Sequence, residues 1–279
     1  TGGAFRLTPH QHQLLMPVGD VHYGARSFPR DRVRAHIRWG VERGARFLGM
    51  GDYFEQHAES QQRVLAQLRD EEQRSEDDEA QVRVRDLFSL LKGSEGRWLG
   101  LLCGNHTHQF QDGTTADQRL AELLGAPYLG DMAYVHIALG TGAKQTVVVV
   151  VAHHGTGGGQ LAGSGLNKLE KMPEIVPGGD IYLMGHNHAK VNTPLDTLHV
   201  TPEGAVYHRT RILARTGGFL RSYVSQKPLP NTTAAVFSAG TYIEKRALRP
   251  TALGGLVFSL GVKWEAQAGL WIPDLHYSL

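Results

Sequence analysis

Short apolar runs punctuate the first two thirds of the chain, and each stops abruptly at a glycine or a polar residue. The run at 14–18 meets Gly19-Asp20-Val21-His22, and the run at 46–50 meets Gly51-Asp52. The run at 98–103 meets Gly104-Asn105-His106, the run at 147–152 meets His153-His154-Gly155, and the run at 181–184 meets Gly185-His186-Asn187-His188. Each has the length and bounding residues of a strand. Helical patterns lie between the first three. After Pro29, which suits a first helical position, Val33, Ile37, Gly40 and Val41 share one face. Alternating strands and helices predict a mostly parallel sheet with covered faces, and such sheets carry ligands beyond the carboxyl ends of their strands. All five polar clusters fall at that end.

Two further stretches have other patterns. Between residues 55 and 92, Val64, Leu65 and Leu68 make one apolar stripe, and Val84, Leu87, Phe88 and Leu91 another, with an almost wholly charged segment at 69–79 between them. This predicts a helical insertion of two helices joined by a solvated stretch, serving as a cap or dimer contact beside the site or as a plain surface pair. After His188 come short strand patterns at 197–200, 205–213, 233–237 and 256–262, separated by turn residues. They predict a mostly β part over 190–279 that forms an antiparallel second sheet packed on the first. One domain over 1–279 accommodates all of this.

Composition adds exclusions. A hydrophobic share of 41% and a charged share of 20% are ordinary for a folded chain. No apolar run approaches the roughly 20 residues of a membrane span, and no basic-then-apolar leader is visible, although the sequence does not begin with Met. Cys103 is the single cysteine, which rules out an internal disulfide and fits a cytoplasmic location. A net charge of +2 does not by itself call for nucleic acid.

The polar clusters supply carboxylates, imidazoles and one amide, a nitrogen and oxygen set that suits Mn, Fe, Zn, Ni or Co, and they lack the thiolates of a structural zinc finger. Asp20 and His22, like His186 and His188, are spaced i, i+2, which on an extended strand points both side chains to one face. Taken in order, Gly-Asp-Val-His, Gly-Asp-Tyr, Gly-Asn-His, His-Gly and Gly-His-Asn-His resemble the motif set of the calcineurin-like metallophosphoesterase superfamily, in particular its phage and bacterial phosphoesterases. The resemblance spans residues 19–188.

That resemblance implies a four-layer α/β/β/α sandwich and phosphoester hydrolysis at a dinuclear metal centre, with Mn the expected metal. It implies that Asp20, His22 and His188 hold one ion. Asn105, His186 and the fourth-motif histidine hold the other, and Asp52 bridges them. A water shared by the two metals is then the nucleophile, and His106 stands outside the ligand set as the catalytic acid or phosphoryl-positioning group. Either His153 or His154 can be the fourth-motif ligand. The histidine directly before glycine, His154, is the favoured choice, and both cannot bind one ion because neighbours on an extended chain point apart.

Two departures matter. Thr107 stands where many members of the superfamily have an acid, so a carboxylate orienting His106 has to come from elsewhere. Tyr53 and Phe54 follow Asp52, where they could wall the site for a base or aryl group or simply pack. The glycines at 157–159 could let backbone approach a phosphate, and the remaining histidines, among them His57, His108, His136, His199 and His208, read as surface or packing residues. The substrate expected from the resemblance is a phosphodiester of nucleotides or nucleic acid; Arg209, Arg211, Arg215 and Arg221, interleaved with Tyr207, Phe219 and Tyr223, read either as a base-stacking basic surface or as an ordinary strand with one solvated basic face. Phosphomonoester or protein-phosphate hydrolysis and a catalytically silent metal-binding module are the alternatives.

Overall fold

A computed structural model describes residues 4–5, 12–55, 70–156, 164–221, 223, 244, 247 and 249–278. The first motif strands pair in parallel as β2 (Gln13–Val18), β3 (Arg46–Gly49), β4 (Trp98–Leu102) and β5 (Tyr128–Gly130). Two C-terminal strands, β12 (Val257–Glu265) and β13 (Leu270–Ser278), extend that sheet antiparallel on the β2 side, giving the order β13-β12-β2-β3-β4-β5. The second sheet has the order β1-β6-β7-β8-β10-β11, with β9 also paired to β10. Its strands are β1 (Ala4–Phe5), β6 (Met132–Thr141), β7 (Lys144–His153), β8 (Ile181–Met184), β9 (Lys190–Val200), β10 (Val206–Gly218) and β11 (Gly254–Gly255).

The strands after His188 therefore do not build a sheet of their own, as their pattern predicted. β9 to β11 join β7 and β8, and β12 and β13 complete the first sheet. Periodicity marks which residues face inward but carries no information about the partner strand. The expected strand at 233–237 lies outside the described residues.

Alternation along the strands explains the layers. Leu15, Leu48, Leu102, Phe258 and Leu260 of one sheet pack against Val148, Val150, Ile181 and Ile212 of the other. Their neighbours point the opposite way. Met16, Phe47 and Trp98 meet Val33 and Ile37 of α1 (Arg30–Glu42), Val84 and Leu87 of α2 (Asp70–Leu91), and Leu120 of α3 (Ala116–Leu123). On the far side, Val151, Tyr182 and Leu213 meet Leu169 and Met172 of α4 (Ser164–Ile175). The chain is thus a four-layer α/β/β/α sandwich, and strands buried on both faces read as the unbroken apolar runs of the sequence.

α2 is a single helix through the segment expected to be a solvated joint. Its Glu, Gln and Arg residues are competent helix formers, and Ala80, Val84, Leu87 and Leu91 bury one stripe. The stripe at Val64, Leu65 and Leu68 lies outside the described residues, as do His57 and the glycines at 157–159. α2 also braces the loops around the motif residues. Asp77 bonds His108 Nε2 at 2.6 Å, Arg83 donates to the Glu55 carbonyl at 3.0 Å, and Tyr23 donates to Asp86 at 3.3 Å. No helix among the described residues is long and apolar enough to cross a membrane.

Candidate metal centre

Every motif residue sits just past the carboxyl end of its strand, as expected, but the backbone there is not extended. Asp20, His22, Asp52, His186 and His188 all have left-handed φ values, between 48° and 72°. The i, i+2 pairs converge through these tight turns rather than through strand alternation. Turn hydrogen bonds fix them: the amides of Asp20, Val21, His22 and Tyr23 donate to Gly51 O, Asp52 O, Asp52 O and Tyr53 O respectively. The first two motif loops are zipped to each other. The fifth is tied to the first because the His186 amide reaches both Asp20 carboxylate oxygens, at 3.1 and 3.0 Å.

The side chains fall into two ligand sets, Asp20 with His22 and His188, and Asp52 with His154 and His186. Within each set the candidate donor atoms all lie within 4.8 Å of one another. Asp52 lies between them, its Oδ2 3.2 Å from His154 Nε2 and 3.9 Å from His22 Nε2. Asn105 Oδ1 completes the second set, 2.9 Å from His154 Nε2 and 2.8 Å from His186 Nδ1. Of the two adjacent histidines, His154 faces this cluster. His153 turns aside and accepts the Gly155 amide at 2.8 Å.

His154 Nδ1 donates to the Met50 carbonyl at 2.7 Å, which commits Nε2 to an acceptor lone pair in the neutral ring. That lone pair confronts Asn105 Oδ1, Asp52 Oδ2 and, at 3.3 Å, His186 Nδ1. Buried acceptors facing acceptors require a positive charge between them. Burial opposes charging His154, but its bond to Asp52 and the charges of Asp52 and Asp20 prevail and raise its pKa to about 9. Burial would likewise raise Asp52, yet His154 holds it well below the usual carboxylate range. Asp20 is pushed up to about 7 by burial, whereas His186 and His188 are driven down, to about 4 and about 3, by burial and by the charges of His154 and His22 respectively. Neutral His186 and His188 beside the Asp52 carboxylate are in the protonation states that a divalent cation takes, and the nitrogen and oxygen donor set fits such ions.

Four positions outside the motif ligands complete the arrangement. Glu55 accepts from His22 Nδ1 at 2.7 Å and lies in one cluster with His22 and His106, so a carboxylate stands near His106 although residue 107 is threonine. The only signal in the sequence was an acid three residues after Asp52. His106 stacks edge-on against His22 at 5.2 Å, and its amide donates to Asp52 Oδ1 at 2.9 Å. Asp117, fully buried at the start of α3, accepts the Gly104 amide at 3.0 Å, and burial pushes its carboxyl to about 7. Arg215 is buried on β10 and donates to the Gly185 carbonyl at 2.9 Å.

Replacing Glu55 with alanine is expected to lower metal affinity about 10–100-fold while leaving the metal count at saturation unchanged; titration with a chelator competitor measures it.

Two open readings are decided. Tyr53 and Phe54 are fully buried, and Tyr53 donates to Leu102 O at 3.0 Å, so they pack the core rather than wall the site. The basic-aromatic stretch is not one surface. Arg215 and Phe219 are buried, Tyr207 is nearly so, and Arg209 Nε donates to the buried carboxylate of Asp180 at 2.7 Å.

No family model matches the chain, and no curated protein does. Among solved structures it is similar to a conserved uncharacterized protein, a predicted phosphoesterase, from Streptococcus pneumoniae TIGR4. That match has 12% identity, covers 95% of this chain and 98% of that one, and has a TM-score of 0.33. It is also similar to a Vps29 single mutant from Entamoeba histolytica, with 11% identity, 96% and 100% coverage and a TM-score of 0.32.

Proposed function

We propose that the chain is a dinuclear metal-dependent phosphoester hydrolase. The observation that carries this reading is the position of Asp52 between two three-residue ligand sets at the ends of adjoining strands. Asp20, His22 and His188 would hold one ion; Asn105, His154 and His186 the other; Asp52 both. Two divalent ions in such a site, with Mn the first choice, supply Lewis acidity toward a phosphoryl oxygen and an activated water at neutral pH.

The chain's own residues do the rest. Glu55 orients His22 and lies in one cluster with His106, an imidazole that can donate a proton to a departing alkoxide or hold a phosphoryl oxygen. Asp117 and Arg215 fix the two loop backbones from behind, so that the ligands need not reorganise.

Phosphodiesters, among them nucleotides and nucleic acid, are the proposed substrates on the strength of the motif resemblance; phosphomonoesters are the alternative. Elemental analysis followed by turnover of a bis-aryl phosphodiester and an aryl phosphomonoester with each candidate metal tests both levels. Two metal equivalents and faster diester cleavage are expected. A monoester preference would reassign the substrate, and bound metal with no turnover on either would refute the hydrolase.

A further inference from the structure

At the outer edge of the six-stranded sheet, three more metal-competent side chains meet. In β12 and β13, Gly261 pairs with Asp274 and Ser259 with His276. On the other side of β12, Leu260 pairs with Gln13. Continuing that antiparallel register by one residue sets His12 opposite Gly261, in line with Asp274. Residues paired across neighbouring strands share a face, and His276, two positions from Asp274, shares it too. This is the face away from the sheet–sheet core, since the intervening Leu260 points into that core.

Gly261 makes the meeting possible. A Cβ there would come within 2.7 Å of the His12 ring, so a side chain on the middle strand would occupy the space the imidazole takes as it leans toward β13. The two imidazole rings lie 5.6 Å apart, centre to centre, and His276 Nε2 is 3.2 Å from Asp274 Oδ2. The candidate donor atoms of all three residues lie within 4.8 Å of one another. A tetrahedral ion with bonds near 2.0–2.2 Å needs donors about 3.3–3.6 Å apart. His12 and His276 are exposed, so modest rotation closes the difference, and water fills the remaining position.

We propose that His12, Asp274 and His276 form a third divalent-cation site, separate from the central cluster and selective for imidazole-preferring ions such as zinc. Its ion ties His12, immediately before β2, to the edge strand β13, across β12. Hard ions such as magnesium, which prefer oxygen ligands, are a poor match for two imidazoles.

The test is a zinc titration followed in long-range proton–nitrogen spectra of the imidazole rings. His12 and His276 are expected to shift together along one saturation curve, distinct from that of His154 and His186. In Asp274→Asn and His276→Ala the zinc concentration that half-saturates His12 should rise at least about tenfold, with phosphoester turnover unchanged. Independent titration of the two rings, or variants that bind zinc at His12 within about threefold of the parent, would overturn the site. Because the signals belong to named histidines, failure of the central cluster to bind or hydrolyse leaves this test intact.

Discussion

Asp52→Ala is expected to remove metal and hydrolysis together. The carboxylate is buried, lies 3.2 Å from His154 and 3.9 Å from His22, and also receives the His106 amide on its other oxygen. Its loss leaves both ligand sets without their shared anion and unties the Asn105-His106 loop. Two-metal stabilisation is worth several kcal/mol, so turnover should fall at least about 10³-fold. Metal content at stoichiometric loading should drop below one per chain. Retention of two tight ions in the variant would show that Asp52 does not bridge.

Gly104→Ala is expected to be nearly as damaging, for a steric reason. A Cβ at 104 would be driven into the backbone nitrogen and Oδ1 of Asp52, and neither can retreat, because the motif loops are zipped by their own amides. Overpacking of this kind costs about 1–3 kcal/mol, and here the displaced atoms belong to the candidate bridge itself. Both a lower melting temperature and weaker metal loading should follow. A variant that loses stability but loads metal normally would mean that the loop yields elsewhere.

The contrast between these positions shows what the sequence made readable. Asp20, His22, Asp52, Asn105 and the 186–188 pair stood out because each follows an apolar run, and the sheet topology brings those strand ends together. The four layers were implied by the motif resemblance. Glu55, Asp117 and Arg215 were hidden, since their roles depend on which loop lies behind which, and no local period encodes that. The same blindness misassigned the C-terminal strands, whose inward faces were legible but whose partners were not. Tyr53 and Phe54 looked like candidates for a binding wall only because a buried and an exposed aromatic have the same letter. Arg215 misled for the same reason, as a fully buried guanidinium reads like a surface cation.

The left-handed turns at Asp20, His22, Asp52, His186 and His188 have a consequence for how this chain can change over time. Each holds a side-chain-bearing residue where glycine would rest more easily, at a cost of order 1–2 kcal/mol. That local strain by itself favours glycine there, so selection for stability alone would press on this candidate site rather than on the core. Descendants that no longer need the chemistry are expected to collect glycine and asparagine at these five positions while Leu15, Leu48 and Val150 stay apolar. The scaffold would then persist with its candidate metal centre gone.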